Sequence, residues 1–162
     1  MPPSSTTIRP ADPSDFDALC QLWEALDEHH RRARPGMFRA PVGERRTLAS
    51  VENLIQGPDS AILVAEGPNG RLDGLVVLMA RTPLELPIRI SQPFAEIDNI
   101  VVAPSARRRR VGAQLVAAAK AWARSRDLAR LELTAYAFNG GALDFYRAAC
   151  FEPVSHRLAL TL

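Results

Sequence analysis

Hydrophobic positions recur along this chain with two different periods, and the switches between them mark out its elements. Phe16, Leu19, Leu22, Trp23 and Leu26 fall at steps of three and four, one face of a helix that Asp12 or Ser14 would cap. Leu48, Val51, Leu54 and Ile55 repeat that spacing in a second helix, expected over 44–55 and ended by Gly57-Pro58. The apolar runs 61–66 and 72–81 read as strands joined by Gly67-Pro68-Asn69-Gly70, a hairpin signal. A further β-branched run, 94–102, stops before Pro104, and Val111, Leu115, Ala118 and Trp122 then line one face of a helix over 109–124. A strand over 130–136, a helix over 140–149 and a final strand or pair over 151–160 complete the pattern, with a short opening strand at 6–9. The segments 29–41 and 82–93 are rich in proline and read as loops.

This order predicts an α/β chain with a mixed sheet of six or seven strands and helices on both faces. A helix separates the runs 94–102 and 130–136, so those two strands run parallel. At 162 residues the chain is long enough for one domain, 1–162, with residues 1–5 expected as a frayed tail. No apolar stretch approaches the roughly 20 residues that span a bilayer, and the first residues lack the charged and apolar regions of a signal peptide. A cytoplasmic protein without membrane contact is the expectation. Cys20 and Cys150 make no disulfide framework, and Cys20 falls on the apolar face of the first helix.

The formal net charge is only +2, which gives no global field for nucleic acid. The basic residues are almost all arginine, Lys120 being the one lysine, so arginine content by itself carries little meaning. Their clustering at Arg107, Arg108, Arg109 and Arg110 does carry meaning. They stand between a strand and a helix start, where free N–H groups and the positive end of the helix dipole meet. Exposed arginines there are unfavourable by roughly 0.3–1 kcal/mol each unless an anion is present.

The run Arg107-Arg108-Arg109-Arg110-Val111-Gly112 resembles the (Gln/Arg)-x-x-Gly-x-(Gly/Ala) signature of the GNAT superfamily of acyl-CoA-dependent N-acyltransferases. Ile100-Val101-Val102-Ala103-Pro104 is similar to that family's central strand and the proline after it. Asn139, Ala142 and Tyr146 match its Asn-x-x-Ala-x-x-x-Tyr pattern, and Ile8-Arg9-Pro10-Ala11-Asp12 with Asp15 is similar to a common family opening. Two residues depart from the pattern. Arg110 replaces the first glycine of the phosphate loop, where ordinary helical dihedrals would let the loop close. Cys150 replaces the glycine before Phe151, a left-handed cap that would cost a cysteine on the order of 1 kcal/mol.

The resemblance implies acetyl-CoA as co-substrate, no metal, and a small-molecule or peptide amine as acceptor; a homodimer is compatible with it. It implies that the strands 94–102 and 130–136 splay apart around the pantetheine arm. Ile100, Val101, Val102, the four arginines, Val111, Gly112, Ala113 and Asn139 would then hold the cofactor. Gly112 would let the backbone approach the pyrophosphate. Residues 26–50 and 82–94 would form the acceptor side.

The implied reaction needs a base, because a lysine-like amine is less than about one part in a thousand neutral at pH 7. Strict alternation along 94–102 puts Glu96, Asp98, Ile100 and Val102 on one face and Ile97, Asn99 and Val101 on the other. Asp98 sits where several family members carry a carboxylate proposed as base, and Glu96 is the second candidate; either would otherwise bond loop backbone or meet solvent. Tyr146 stays protonated at pH 7 and could protonate the departing thiolate, or simply pack beside Phe145. His29 and His30 have no acidic or cysteine partner at ligand spacing, which argues against a metal. Met37-Phe38 reads as a hydrophobic latch, and no base near Cys150 in sequence would make it a nucleophile. A non-catalytic acyl-CoA-binding regulatory domain is the alternative. A nucleic-acid module using Arg107–Arg110 is a remote one, lacking interleaved aromatics and a broad basic face.

Overall fold

The structure, a computed structural model, describes residues 6–43, 45–88 and 90–162. The expected tail at 1–5 and the expected helix start at Glu44 lie outside the described residues. The elements run β1 (Thr7–Pro10), α1 (Phe16–Ala33), α2 (Leu48–Gln56), β2 (Ser60–Glu66), β3 (Leu72–Arg81), β4 (Phe94–Val102), α3 (Val111–Arg124), β5 (Leu131–Leu133) and α4 (Gly140–Ala148). Asp12 and Asp15 form a reciprocal capping box that leads through a short 3-10 turn into α1. Thr47 and Ser50 do the same for α2. Leu48, expected inward, is exposed because it sits in the first turn of α2, before the helix reaches the sheet.

Five strands form one sheet in the order β1-β2-β3-β4-β5. The first three junctions are antiparallel, and β4–β5 is parallel as expected. The count falls short of six or seven because residues 151–162 form no helix or strand and are almost wholly exposed. The alternation seen there pairs with no strand among the described residues.

A bulge breaks β4 at Asp98-Asn99, where two polar residues stand side by side in the strand. Val77 pairs with Asn99 but Leu78 pairs with Ile97, so Asp98 has no partner in the register. Residues on the two sides of the bulge therefore change places relative to the sequence expectation. Glu96 faces the same side as Asn99 and Val101, while Ile97 joins Ile100 and Val102. The Trp23 indole of α1 donates to Asn99 Oδ1 at 2.9 Å, which marks the first face as that of α1. Gly74 and Val102 on the other face lie against Val111, Leu115 and Gly112 of α3.

The core is carried by Leu19 and Trp23 of α1, Val51 of α2, the β3 run Leu75–Leu78, and Val111, Leu115 and Ala119 of α3. Cys20 is only half-buried, at the margin of that core. The β5–α4 end differs, since every residue of β5 is half-buried and α4 buries none fully.

Candidate active site

Parallel pairing of β4 with β5 lasts only from Ala95–Leu131 to Ile97–Leu133. Beyond Ile97 the two strands part, as the resemblance implies, and β4 from Asp98 to Val102 keeps β3 on one side and an open edge on the other. Backbone N–H and C=O groups on such an edge need partners, and a peptide-like chain can supply them.

The open edge runs on through a short turn, Pro104–Ala106, to the arginines. Arg107 is extended, but Arg108 and Arg110 hold left-handed backbone at φ 64° and φ 63°. Arg110 thus adopts the conformation the family's glycine would take, not the helical one expected of it. Such alternation turns successive N–H groups toward one concavity, an anion-binding nest. Two left-handed arginines cost on the order of 1 kcal/mol each. Directly after them, α3 begins without a side-chain cap, so its first N–H groups remain open. The four guanidiniums are exposed and have no ion-pair partner among the described residues. The donor set fits a pyrophosphate.

A Cβ built at Gly112 would lie 3.2 Å from the tip of Phe145 and 3.7 Å from Val102 Cγ2, so the missing side chain makes room for α4. Lys120 Nζ fastens the far end of α4 by donating to the Ala149 carbonyl at 3.2 Å. Asn139 caps α4, its Oδ1 accepting from the Ala142 N–H at 3.3 Å.

Tyr146 lies half-buried between Phe145 and Phe151, with ring centroids 5.4 and 5.8 Å away. Burial raises its phenol above the usual range, so it remains a proton donor through neutral pH. Its place is fixed by how α4 ends. The Phe151 N–H returns to the Tyr146 carbonyl at 2.9 Å and the Cys150 N–H to Arg147 at 3.0 Å, a Schellman closure. That closure requires the left-handed φ of 67° found at Cys150.

The two acidic candidates part company. The Glu96 carboxylate accepts from Arg81 Nε at 2.5 Å, on the α1 side of the sheet. Asp98 is exposed at the bulge, one residue past the last β5 pair, and no ion pair holds it among the described residues.

A cleft of about 220 Å³ opens on the α1 face, walled by Leu26 to Arg31 of α1, Phe38, Arg39, Arg45, Arg46, Asn99 and Tyr136. Asn99 lies two residues past the β4–β5 pairing and Tyr136 three past β5, so the cleft meets the mouth of the gap. His30, Phe38, Tyr136 and Phe138 interlock, with His30–Phe38 stacked at 5.1 Å and Tyr136–Phe138 stacked at 5.3 Å. Burial pushes the His30 imidazole below its usual range, helped by His29, so it is a neutral ring at pH 7. Residues 26–46 do form this wall, whereas 82–94 contribute nothing to it among the described residues. Phe38 belongs to the cleft while Met37 points to solvent. Asn99 and Tyr136 have no sequence signal of their own, because their partners lie far away in the chain. No group of three His, Cys, Asp or Glu side chains that could hold a metal occurs among the described residues, and no described helix is long and apolar enough to cross a membrane.

The sequence model of the acetyltransferase (GNAT) family matches residues 23–150. An aminoglycoside N(6')-acetyltransferase type 1 from Klebsiella aerogenes is 27% identical over 157 residues, 94% of this chain and 93% of its own. Among solved structures, a tetramutant of the BH1408 protein from Bacillus halodurans superposes with a TM-score of 0.89 at 21% identity, covering 96% of this chain and 99% of its own. The aminoglycoside N-acetyltransferase AAC(6')-Iy, solved with CoA, gives 0.73 at 19% identity over 96% of this chain and 98% of its own. At such identities the structural likeness speaks for the fold.

Proposed function

This chain belongs to the GNAT acetyltransferase family, and from that premise we propose that it moves the acetyl group of acetyl-CoA to a primary amine by direct attack. The observation that carries the reading is continuity. The open edge of β4, the left-handed Arg108/Arg110 turn and the uncapped start of α3 follow one another, with α4 seated on the same turn through Phe145. The edge would hold the pantetheine arm and the nest the pyrophosphate. Acetyl-CoA supplies an acyl carbon activated as a thioester.

Asp98, rather than Glu96, takes the proton of the attacking amine as the N–C bond forms, because the Glu96 carboxylate is occupied by Arg81. Tyr146 gives its phenolic proton to sulfur as the C–S bond breaks, and recovers one from solvent. Supplying the neutral amine at pH 7 is worth up to about 4.6 kcal/mol, at 1.36 kcal/mol per pH unit. Thiol release from acetyl-CoA with an amine panel tests the activity. Asp98→Asn should lower kcat/KM and flatten the acid limb of its pH profile, and Glu96→Gln should leave that limb in place. The reverse pattern would exchange the two roles.

We further propose that the chain can pair as a homodimer. Val154, Leu158, Leu160 and Leu162 are exposed, and the last three alternate as strand residues do. The edge strand β5 is unpaired on its outer side among the described residues. A second copy could pair the two. Light scattering should give a dimer mass that Leu158→Lys/Leu160→Lys reduces to a monomer.

A further inference from the structure

The cleft over Asn99 carries charge of the wrong sign for an aminoglycoside, which is a polycation at neutral pH. Four guanidiniums, Arg31, Arg39, Arg45 and Arg46, face the single carboxylate of Asp27 among the described lining residues. That carboxylate is already shared, since Arg45 pairs with it and Arg46 does so at 3.0 Å. It is not free to receive an ammonium group. Arg31 spends Nη2 on Glu24 and Glu28, at 2.6 and 2.5 Å, yet its Nη1 is buried with no partner among the described residues. A buried guanidinium N–H without an acceptor is costly in a native fold and marks a place where an acceptor belongs. Arg39 makes no ion pair among the described residues either.

Beside these donors stands a cluster of aromatic rings packed mostly edge to face. Phe38 and Tyr136 meet edge to face at 5.2 Å, and His30 lies 5.1 Å from Phe38 and 5.6 Å from Tyr136. Planar groups stack or tilt against such rings. Two elements thus share one cleft at the mouth of the gap: the guanidinium side chains of Arg31 and Arg39, and a cluster of aromatic rings.

We propose that the acceptor is an amine built on a flat apolar body that also carries a carboxylate, and that this cleft binds it with the carboxylate on Arg31 and Arg39. The inference rests on the acetyltransferase reading for its chemistry, and on the cleft alone for its selectivity. A carboxylate can offer Arg31 Nη1 the missing acceptor and neutralise part of the surplus charge. A polycation can do neither.

The experiment compares matched probes with acetyl-CoA: L-phenylalanine against L-phenylalaninamide, 4-(2-aminoethyl)benzoate against its carboxamide, and kanamycin A as the polycation. At least one carboxylate should show kcat/KM ten- to a hundredfold above its neutral amide, the range of a hydrogen bond to a charged group. Kanamycin A should be the poorest substrate. Arg31→Gln should remove the preference mainly through KM, and Arg39→Gln, at an exposed site, should reduce it about threefold with the fold intact. Turnover of kanamycin A, or of the amides at equal or better rates, would overturn the proposal while leaving the acetyltransferase reading in place. Should no amine release thiol, that reading falls, and calorimetry decides the cleft separately. Tighter binding of N-acetyl-L-phenylalanine than of its amide, lost in Arg31→Gln, supports the inference, and equal or absent binding overturns it.

Discussion

The two sides of the β4–β5 gap are built from different materials. On the α3 side, the proposed cofactor site rests on backbone: an open strand edge, two left-handed residues and an uncapped helix start, all within residues 98–113. On the α1 side the cleft rests on side chains gathered from α1, the loop after it, β4 and the turn after β5. A backbone site tolerates changes of side chain as long as the chain path survives. A side-chain site changes its ligand with one substitution. Under the reading proposed above, that difference would let a chain of this family keep its cofactor groove and change its acceptor.

The largest expected effect belongs to the proposed general acid. Tyr146→Phe should lower turnover by about 100-fold, the low end of the range for general acids, because a thiolate of pKa near 8.5 leaves tolerably without help. Acetyl-CoA affinity, read by titration, should stay within about twofold. Its packing against Phe145 and Phe151 uses the ring and not the hydroxyl, so the melting temperature should hold. A loss wholly in cofactor affinity would move Tyr146 to the backbone side of the comparison.

Gly112→Val probes the border directly. The new Cβ meets Phe145 at 3.2 Å, so α4 must shift, at about 1–3 kcal/mol of stability for overpacking. Turnover should fall about tenfold as Tyr146 moves with its helix. Adding Phe145→Leu should restore much of it. If the double variant stays dead and acetyl-CoA no longer raises the melting temperature, Gly112 serves the pyrophosphate after all.

The backbone side was the more legible one in the sequence, for a physical reason. Its residues are neighbours in the chain, so β-branched strand, proline, arginines and helix appear as one local pattern. Even so, the left-handed state of Arg110 was invisible, because the side chain carries no signal of it; the residue stands in the turn between Pro104–Ala106 and α3. The β4 bulge left only a faint trace, the adjacent polar pair Asp98-Asn99; the extra residue is defined against β3, and it carries Glu96 to the opposite face from the one expected. The acceptor side was hidden by distance. His30, Phe38, Tyr136 and Phe138 are ordinary residues until the fold stacks them. Residues 151–162 show the converse, a clear strand pattern without a partner strand among the described residues.

A smaller effect is expected for the exposed arginines. Arg107→Ala should weaken acetyl-CoA by up to about fivefold, the limit for an exposed ion pair, and leave acetylpantetheine unchanged. Raising salt should shrink the difference. Equal losses for both ligands would mean that the arginines act on the fold rather than on phosphate.

The smallest effect tests the backbone side at two positions that share one backbone state. Arg110 and Cys150 each hold a left-handed φ where the family pattern has glycine. Glycine enters that region freely, so Arg110→Gly and Cys150→Gly should each relieve strain, partly offset by the greater freedom of glycine in the unfolded chain. A net gain of about 0.5–1 kcal/mol is expected for each, a rise of roughly 2–4 °C per kcal/mol in melting temperature for a chain of this size. For Cys150→Gly the gain should come with unchanged kinetics, since the Schellman closure on Tyr146 keeps both of its hydrogen bonds. For Arg110→Gly the outcome divides. If the nest is made of backbone alone, acetyl-CoA affinity is preserved as stability rises. A loss of affinity alongside the gain in stability would show that the Arg110 side chain grips the phosphates from outside the loop, and that side chains contribute on this side of the gap too.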